Sequence, residues 1–193
     1  MRSQWGRRWA HVAIMVGAVA WLAASVCRLV GLRVNVSPSL PVGIYRETRA
    51  PVRVGSFVEA CLPPSIGAWA VARKYLWRGP CPGGMGAAMV GKMVVATAGD
   101  TADLGDDGVT VNGVRLPHSR PLSVDALQRR LPRVRGRWVL GPKEVWLYGS
   151  GDSRSLDSRY FGPVTRDVLR ATLSRVWIMP GAFGRTVTDE RLW

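Results

Sequence analysis

The stretch "AMVGKMVVATAG" (residues 88–99) decides how this chain is read. It is short, apolar and β-branched, which predicts a buried strand with a lysine, Lys92, in its middle. In an alternating strand Met89, Gly91, Met93 and Val95 share one face, and Val90, Lys92, Val94 and Ala96 share the other. Both faces are apolar, so Lys92 has no obvious solvent face. Burial disfavours the ammonium form and lowers the pKa of an amine, so a lysine held this way suits the work of a proton acceptor. The plain alternative is an edge-strand lysine that points at water. Lysine is scarce here: Lys74, Lys92 and Lys143 are the only three, in a chain with 27 basic residues.

Outward from that strand the pattern is short strands and turns. "VRVGSFVEACL" (52–62) reads as a strand pair broken at Gly55. "DDGVTVNGVRLP" (106–117) has Asp-Gly and Asn-Gly turns on either side of "VTV", a strong hairpin signal. "GRWVLGPKEVWLYGS" (136–150) predicts two strands joined by Gly141-Pro142, and "SRVWIMP" (174–180) a last strand. Residues 63–78 are the best helical stretch of this part, and 124–131 predict a second short helix. The closing "GRTVTDERLW" (184–193) is expected to be mobile. Residues 34–193 therefore read as one mostly-β domain with small helical inserts, a size ample for a hydrophobic core.

The N-terminus has a different character. "MRSQWGRRW" (1–9) carries Arg2, Arg7 and Arg8, with Trp5 and Trp9 suited to a membrane interface. "AHVAIMVGAVAWLAASVCRLV" (10–30) comes next. Its uncharged part, 12–27, is about the minimum length for a span, and snorkelling of Arg28 extends it. Residues 1–33 thus read as a basic cytoplasmic start plus a transmembrane helix, with the rest exported to the outer side of the membrane. The alternative is a cleaved secretory signal with Ala18-Val19-Ala20 as its processing site. Both readings export the domain. A lipoprotein is excluded because Val26, which precedes Cys27, is not small.

A formal net charge of +14 points to an anionic partner, phospholipid or nucleic acid. With no zinc-finger spacing, Walker loop or basic repeat, membrane lipid is the expected partner and specific nucleic-acid binding is not. Cys27 falls in the apolar segment as a filler. Cys61 and Cys81 lie in the exported part, where the redox environment permits a disulfide around "LPPSIGAWAVARKYLWRGP"; sequence alone leaves that bridge open.

Only two histidines are present, His11 in the apolar segment and His118 in a loop-like "RLPHSRP", and the G-x-S-x-G elbow is absent. A histidine triad and a metal site are both disfavoured, and no cofactor is expected. A serine–lysine pair remains, since a neutral amine can take a serine proton. "NVSPSLPVGIY" (35–45) offers Ser37 and Ser39 on a proline-bounded turn just past the apolar segment. "GDSRSLDSRYFGPV" (151–164) crowds acids, arginines and serines between glycines. That loop is either a solvated surface segment or a support that orients the lysine through a hydroxyl.

These three blocks, in this order, resemble the conserved boxes of bacterial signal peptidase I. The short chain, the form of the first block, "RYFGPV" and the "CPGG" before the lysine strand resemble the TraF-type conjugative transfer branch most closely. The resemblance implies a β-rich catalytic domain with Ser39 as nucleophile and Lys92 as general base. It implies Ser37 and the Ser39 backbone N–H as oxyanion donors, Ser155 as the hydroxyl that orients the lysine, and Asp157 with Arg159 as a supporting ion pair. It departs at Met93, where the family has Arg, and at Thr97-Ala98, where the family has Leu-Pro before Gly99-Asp100.

The function implied by the resemblance is that of a membrane-bound serine endopeptidase that processes exported precursors after small residues. Within the conjugative branch the implied substrate is a pilin precursor, sometimes cyclised when a peptide amine resolves the acyl-enzyme. A general signal peptidase and an inactive membrane-anchored assembly factor are the alternatives. Ser39 lies nine residues past Val30, which keeps it within about 30 Å of the end of the apolar segment even in a fully extended chain.

Overall fold

A computed structural model of the chain describes residues 2–83 and 86–180. The expected mobility of 184–193 lies outside the described residues. By its internal contacts the chain divides into Met1–Arg33 and Val34–Trp193.

The first unit is a helix, α1 (Arg2–Leu29). Its Arg8–Cys27 stretch has a mean hydropathy of 1.9 and none of it is buried in the protein. Among the described residues it is the one helix long and apolar enough to cross a membrane, consistent with a single membrane-spanning segment.

The strands are β1 (Leu32–Asn35), β2 (Gly43–Thr48), β3 (Phe57–Ala60), β4 (Val90–Ala96), β5 (Thr101–Gly105), β6 (Gly108–Val111), β7 (Val114–Arg115), β8 (Gly136–Val139), β9 (Glu144–Tyr148), β10 (Val164–Thr165) and β11 (Leu169–Ile178). Two short helices accompany them, α2 (Pro64–Ala72) and α3 (Ser158–Phe161). One sheet runs β1-β2-β11-β3-β4-β9-β10 and the second β7-β6-β5-β8. The Asp-Gly and Asn-Gly signals stand at the two hairpin turns that link β5, β6 and β7. Gly141-Pro142 separates strands that join different sheets: β8 pairs with β5, and β9 with β4.

β4 is the central strand for the site. It pairs with β3 along Val90–Met93 and with β9 from Met93 onward, so Lys92 stands opposite Val58. A bulge between Val94 and Ala96 breaks strict alternation. Val90 and Val94 pack with Val58, Leu147 and Val164 on one face of the sheet. Met93, Val95 and Ala96 pack with Trp146, Leu104 and Val109, between the two sheets. Ala96 was expected on the Lys92 face, and the extra residue of the bulge turns it to the other. Burying side chains the size of Leu147 or Val94 contributes about 1.5–3 kcal/mol each.

Two local expectations fail for identifiable reasons. Residues 52–55 are not a strand. The Arg53 N–H donates to Ser56 Oγ, the Ser56 N–H returns to the Arg53 carbonyl, and Gly55 has φ +84°, so the segment closes as a turn before β3. Residues 124–131 are not a helix. Asp125 Oδ1 accepts the N–H groups of Leu127 and Arg129, a local side-chain alternative to helical bonding, and Val124 bridges Arg130. The 63–78 expectation corresponds to α2, which ends where Lys74 takes φ +62°. Cys61 and Cys81 are joined as a disulfide with Cα atoms 5.4 Å apart, tying the far end of this insert to the end of β3.

Candidate active site

The 35–41 turn is held from inside by Asn35. Its Nδ2 donates to the carbonyls of Ser37 (2.8 Å), Leu40 (3.1 Å) and Pro41 (3.1 Å), while its Oδ1 accepts the Ser37 N–H (3.1 Å). Tyr45, fully buried on β2, donates its hydroxyl to the Pro41 carbonyl at 2.6 Å. Burial pushes the Tyr45 phenol up to about 12, against the pull of Arg175, so it stays a donor at ordinary pH. With Leu40 packed in the core, the turn carries Ser39 at a fixed height with little exposure.

Ser39, Ser155 and Lys92 form a short polar chain. The Ser39 hydroxyl donates to Ser155 Oγ at 3.1 Å, and the Lys92 amine donates to the same oxygen at 2.7 Å. All three side chains are buried, Lys92 to 4% exposure. Desolvation lowers the Lys92 pKa to about 8, with Asp157 and Asp152 opposing and Arg159 assisting. A large neutral fraction therefore exists near pH 8, and the arrangement suits proton transfer from Ser39 to the amine through Ser155.

Ser37 stands on the other side of Ser39. Its hydroxyl oxygen accepts the Ser39 N–H at 3.3 Å. Of the two groups expected to donate to an oxyanion, the Ser39 N–H is thus engaged here by the Ser37 oxygen and would have to turn from it to receive a substrate carbonyl.

Asp157 and Arg159 are both fully buried and meet in a two-pronged pair, Nε to Oδ1 and Nη2 to Oδ2, each 2.8 Å. Asp157 caps α3 and accepts the Gly149 N–H at 2.8 Å. Arg159 also donates to the carbonyls of Ser153 (3.2 Å) and Ser155 (3.1 Å). The pair fixes the backbone on both sides of Ser155, so this part of the loop is held from within by buried bonds. The Met93 departure puts a buried apolar side chain in the inter-sheet core. In place of Leu-Pro, the Thr97 N–H donates to Asp100 Oδ2 at 2.8 Å and Gly99 takes φ +86°, so the turn still closes.

Sequence reasoning missed four residues of the site and its cavity. Asn35 carried the signal of an Asx turn. Gly149 comes within a methyl group's width of Ser155 and gave no signal beyond being a glycine. Tyr75 and Asp125, from distant segments, share one cavity of about 720 Å³ with Ser39, Lys92 and Ser155, and only the fold brings them there. Among the described residues no cluster of three His, Cys, Asp or Glu side chains could hold a metal ion.

Residues 3–178 match the family described as signal peptidase, peptidase S26. A plasmid transfer protein TraF of Escherichia coli is 42% identical over 167 residues, covering 85% of this chain and 92% of the relative. A second Escherichia coli plasmid transfer protein TraF is 39% identical over 173 residues, covering 88% and 96%. A conjugal transfer protein TraF of Agrobacterium tumefaciens (strain 15955) is 36% identical over 156 residues, covering 78% and 85%. A β-rich domain, an apolar N-terminal helix and a match over nearly the full chain converge on one assignment: the chain belongs to the peptidase S26 family of signal peptidases and is similar to its TraF-type conjugative transfer members.

Proposed function

We propose that the chain is a serine endopeptidase of the inner membrane that matures an exported precursor, a conjugative pilin, by acyl-enzyme chemistry. The observation that carries this reading is the buried hydrogen-bond chain from Lys92 through Ser155 to Ser39. In the proposed cycle the neutral Lys92 amine takes the Ser39 proton as Oγ attacks the scissile carbonyl. Ser37 Oγ–H and the Ser39 N–H turn toward the developing oxyanion. The ammonium then returns the proton to the leaving amine, and water or a peptide amine resolves the acyl-enzyme, the latter giving a cyclic product. Residues 1–33 anchor the enzyme with their arginines on the cytoplasmic side, and 34–193 work outside. The pilin substrate is supported by the likeness to relatives named for plasmid and conjugal transfer.

The test is incubation of the full chain in detergent with a pilin precursor, read by mass spectrometry, which reports the cut site and any cyclic product. Ser39→Ala and Lys92→Ala each abolish the product mass under this reading. Processing that survives both substitutions removes the dyad. Equal processing of many unrelated presecretory proteins favours a general signal peptidase. An inert wild type whose loss blocks pilus assembly favours a scaffold.

A further inference from the structure

The cavity that holds Ser39 and Lys92 has a side the proposed chemistry does not use. There, two segments about fifty residues apart are fastened together. Asp125 accepts the Tyr75 hydroxyl and the Arg129 Nε–H (2.7 Å to Oδ2). Arg129 stacks on the Tyr75 ring with its guanidinium carbon 5.3 Å from the centroid, and donates to the Arg73 carbonyl at 3.3 Å. Arg73 answers by donating to the Arg130 carbonyl at 2.7 Å and lies over Trp69, which packs edge-on to Tyr75. The fastening is thus a reciprocal latch between the α2 insert and the 122–131 segment.

Its location sets it apart from an ordinary surface brace. Tyr75 and Asp125 both line the cavity, and the residues the latch holds in place beside them, Leu76, Leu122, Val124 and Leu131, make that part of the wall apolar. Beyond the isolated Val124–Arg130 bridge and the Leu122 N–H that donates to the Tyr160 hydroxyl at 3.1 Å, the 122–131 segment has no helix or strand to hold it there. Arg129 is one-third exposed, so solvent screens the ion pair and it adds little to global stability. A cavity of about 720 Å³ also exceeds what a small residue beside the cut needs, and is in the range that encloses a multi-residue ligand.

We propose that the Tyr75–Asp125–Arg129 latch is a specificity element: it holds a leucine-lined wall against the bound precursor and selects a leucine-sized apolar side chain at one position away from the scissile bond. This deepens the proposed peptidase reading and rests on the same cavity, but it concerns peptide selection and not the chemistry. Opening the latch lets the 122–131 wall retreat, so the large side chain loses its contacts while an alanine there loses little.

The experiment uses the full chain in detergent with Ser39→Ala, so that peptides bind and are not cut. Alanine-rich decapeptides carrying one leucine, scanned through each position, are titrated by fluorescence polarisation. At one position leucine binds more tightly than alanine, and Asp125→Asn or Tyr75→Phe reduces that preference about tenfold, within the range that pocket contacts to one or a few methylenes provide. Asp125→Glu restores part of it. Circular dichroism melts accompany each variant; Tyr75→Phe, which deletes one oxygen atom, carries the test if Asp125→Asn misfolds. An unchanged preference overturns the proposal, whether or not the melting temperature falls, and so does a wild-type groove that shows no leucine preference or binds no peptide. Failure of the Ser39 enzyme to cut a precursor is a separate result: it removes the peptidase reading and leaves the binding comparison standing.

Discussion

Gly149 leaves no room for a side chain against Ser155: a Cβ built on it would stand 1.9 Å from the Ser155 hydroxyl oxygen and 3.3 Å from the Ser39 Cβ. The neighbour that would have to give way is the oxygen that accepts from both Lys92 and Ser39. Gly149→Ala is therefore predicted to lower kcat about 10²–10³-fold with little change in KM, because it breaks the proposed proton path and leaves the peptide groove intact. A Gly149→Ala enzyme with normal kcat would show that Ser155 is not on that path.

Ser155 itself gives a sharper comparison. Ser155→Ala removes the shared acceptor and is expected to cost about 10²-fold in kcat; Ser155→Thr keeps the hydroxyl and should recover part of the loss. Steady-state kinetics on one precursor peptide checks both. Equal losses in the two variants would assign the effect to packing and not to the hydroxyl.

Under the proposed dyad, Lys92 sets the pH profile. Its pKa of about 8 in the folded chain predicts that kcat/KM rises about tenfold per unit below pH 8 and levels above it. The sign for stability is also determined. Between about pH 8 and 10.5 the unfolded chain holds the lysine proton that the folded chain has released, so stability rises with pH across that window. Below about 8 both states carry the charge and the cost of burying it is fully present. Lys92→Met therefore stabilises the protein most below pH 8, and the gain shrinks toward pH 10.5. A pH-independent difference in denaturant midpoint would contradict this.

How much of this was legible in the sequence differs from element to element. The strand around Lys92 was readable because every neighbour is apolar, a property of composition that survives without coordinates. The hairpins were readable because Asp-Gly and Asn-Gly demand particular backbone angles. The 124–131 segment misled because helical spacing of Val124, Leu127 and Leu131 says nothing of an aspartate that bonds its own downstream backbone. The β4 bulge left no mark, since Val95 and Ala96 suit either face. For the site, Lys92 stood out from its apolar strand, while Ser37, Ser39, Ser155, Asp157 and Arg159 were named through the family resemblance, and the structure gathers them around one cavity and the buried ion pair beside it. The contribution of Gly149 and of the Tyr75–Asp125 pair depends on approaches between segments far apart in the chain, which no local pattern encodes.

Arg159 offers a test of geometry over charge. Arg159→Lys keeps the charge but has no fork to hold both Asp157 oxygens and the Ser153 and Ser155 carbonyls together. It is predicted to lower stability, and Arg159→Met, which strands the Asp157 carboxylate in the interior, to lower it by about 3–5 kcal/mol. Urea denaturation measures both. A methionine variant as stable as wild type would mean that Asp157 is not buried as a charge.

The Cys61–Cys81 bridge closes a loop with a sequence separation of 20. A crosslink of that span typically contributes about 3 kcal/mol. The paired replacement Cys61→Ala/Cys81→Ala is expected to lower the denaturant midpoint accordingly, and a reducing agent should reproduce the effect in the wild type but not in the variant. Thiol counting under denaturing conditions gives the direct reading: two additional free thiols beyond Cys27 would remove the bridge.

The position of β11 bears on how the molecule comes into being. This strand is the last of the described elements, yet it lies between β2 and β3, pairing with residues 43–48 on one edge and 57–60 on the other. A nascent polypeptide that has not yet delivered residues 169–178 has its early strands waiting on either side of a gap, and contacts of such long range are slow to form. Under the proposed chemistry, the serine turn therefore gains its full framework only after β11 has emerged, which guards against premature cutting by a shorter nascent chain.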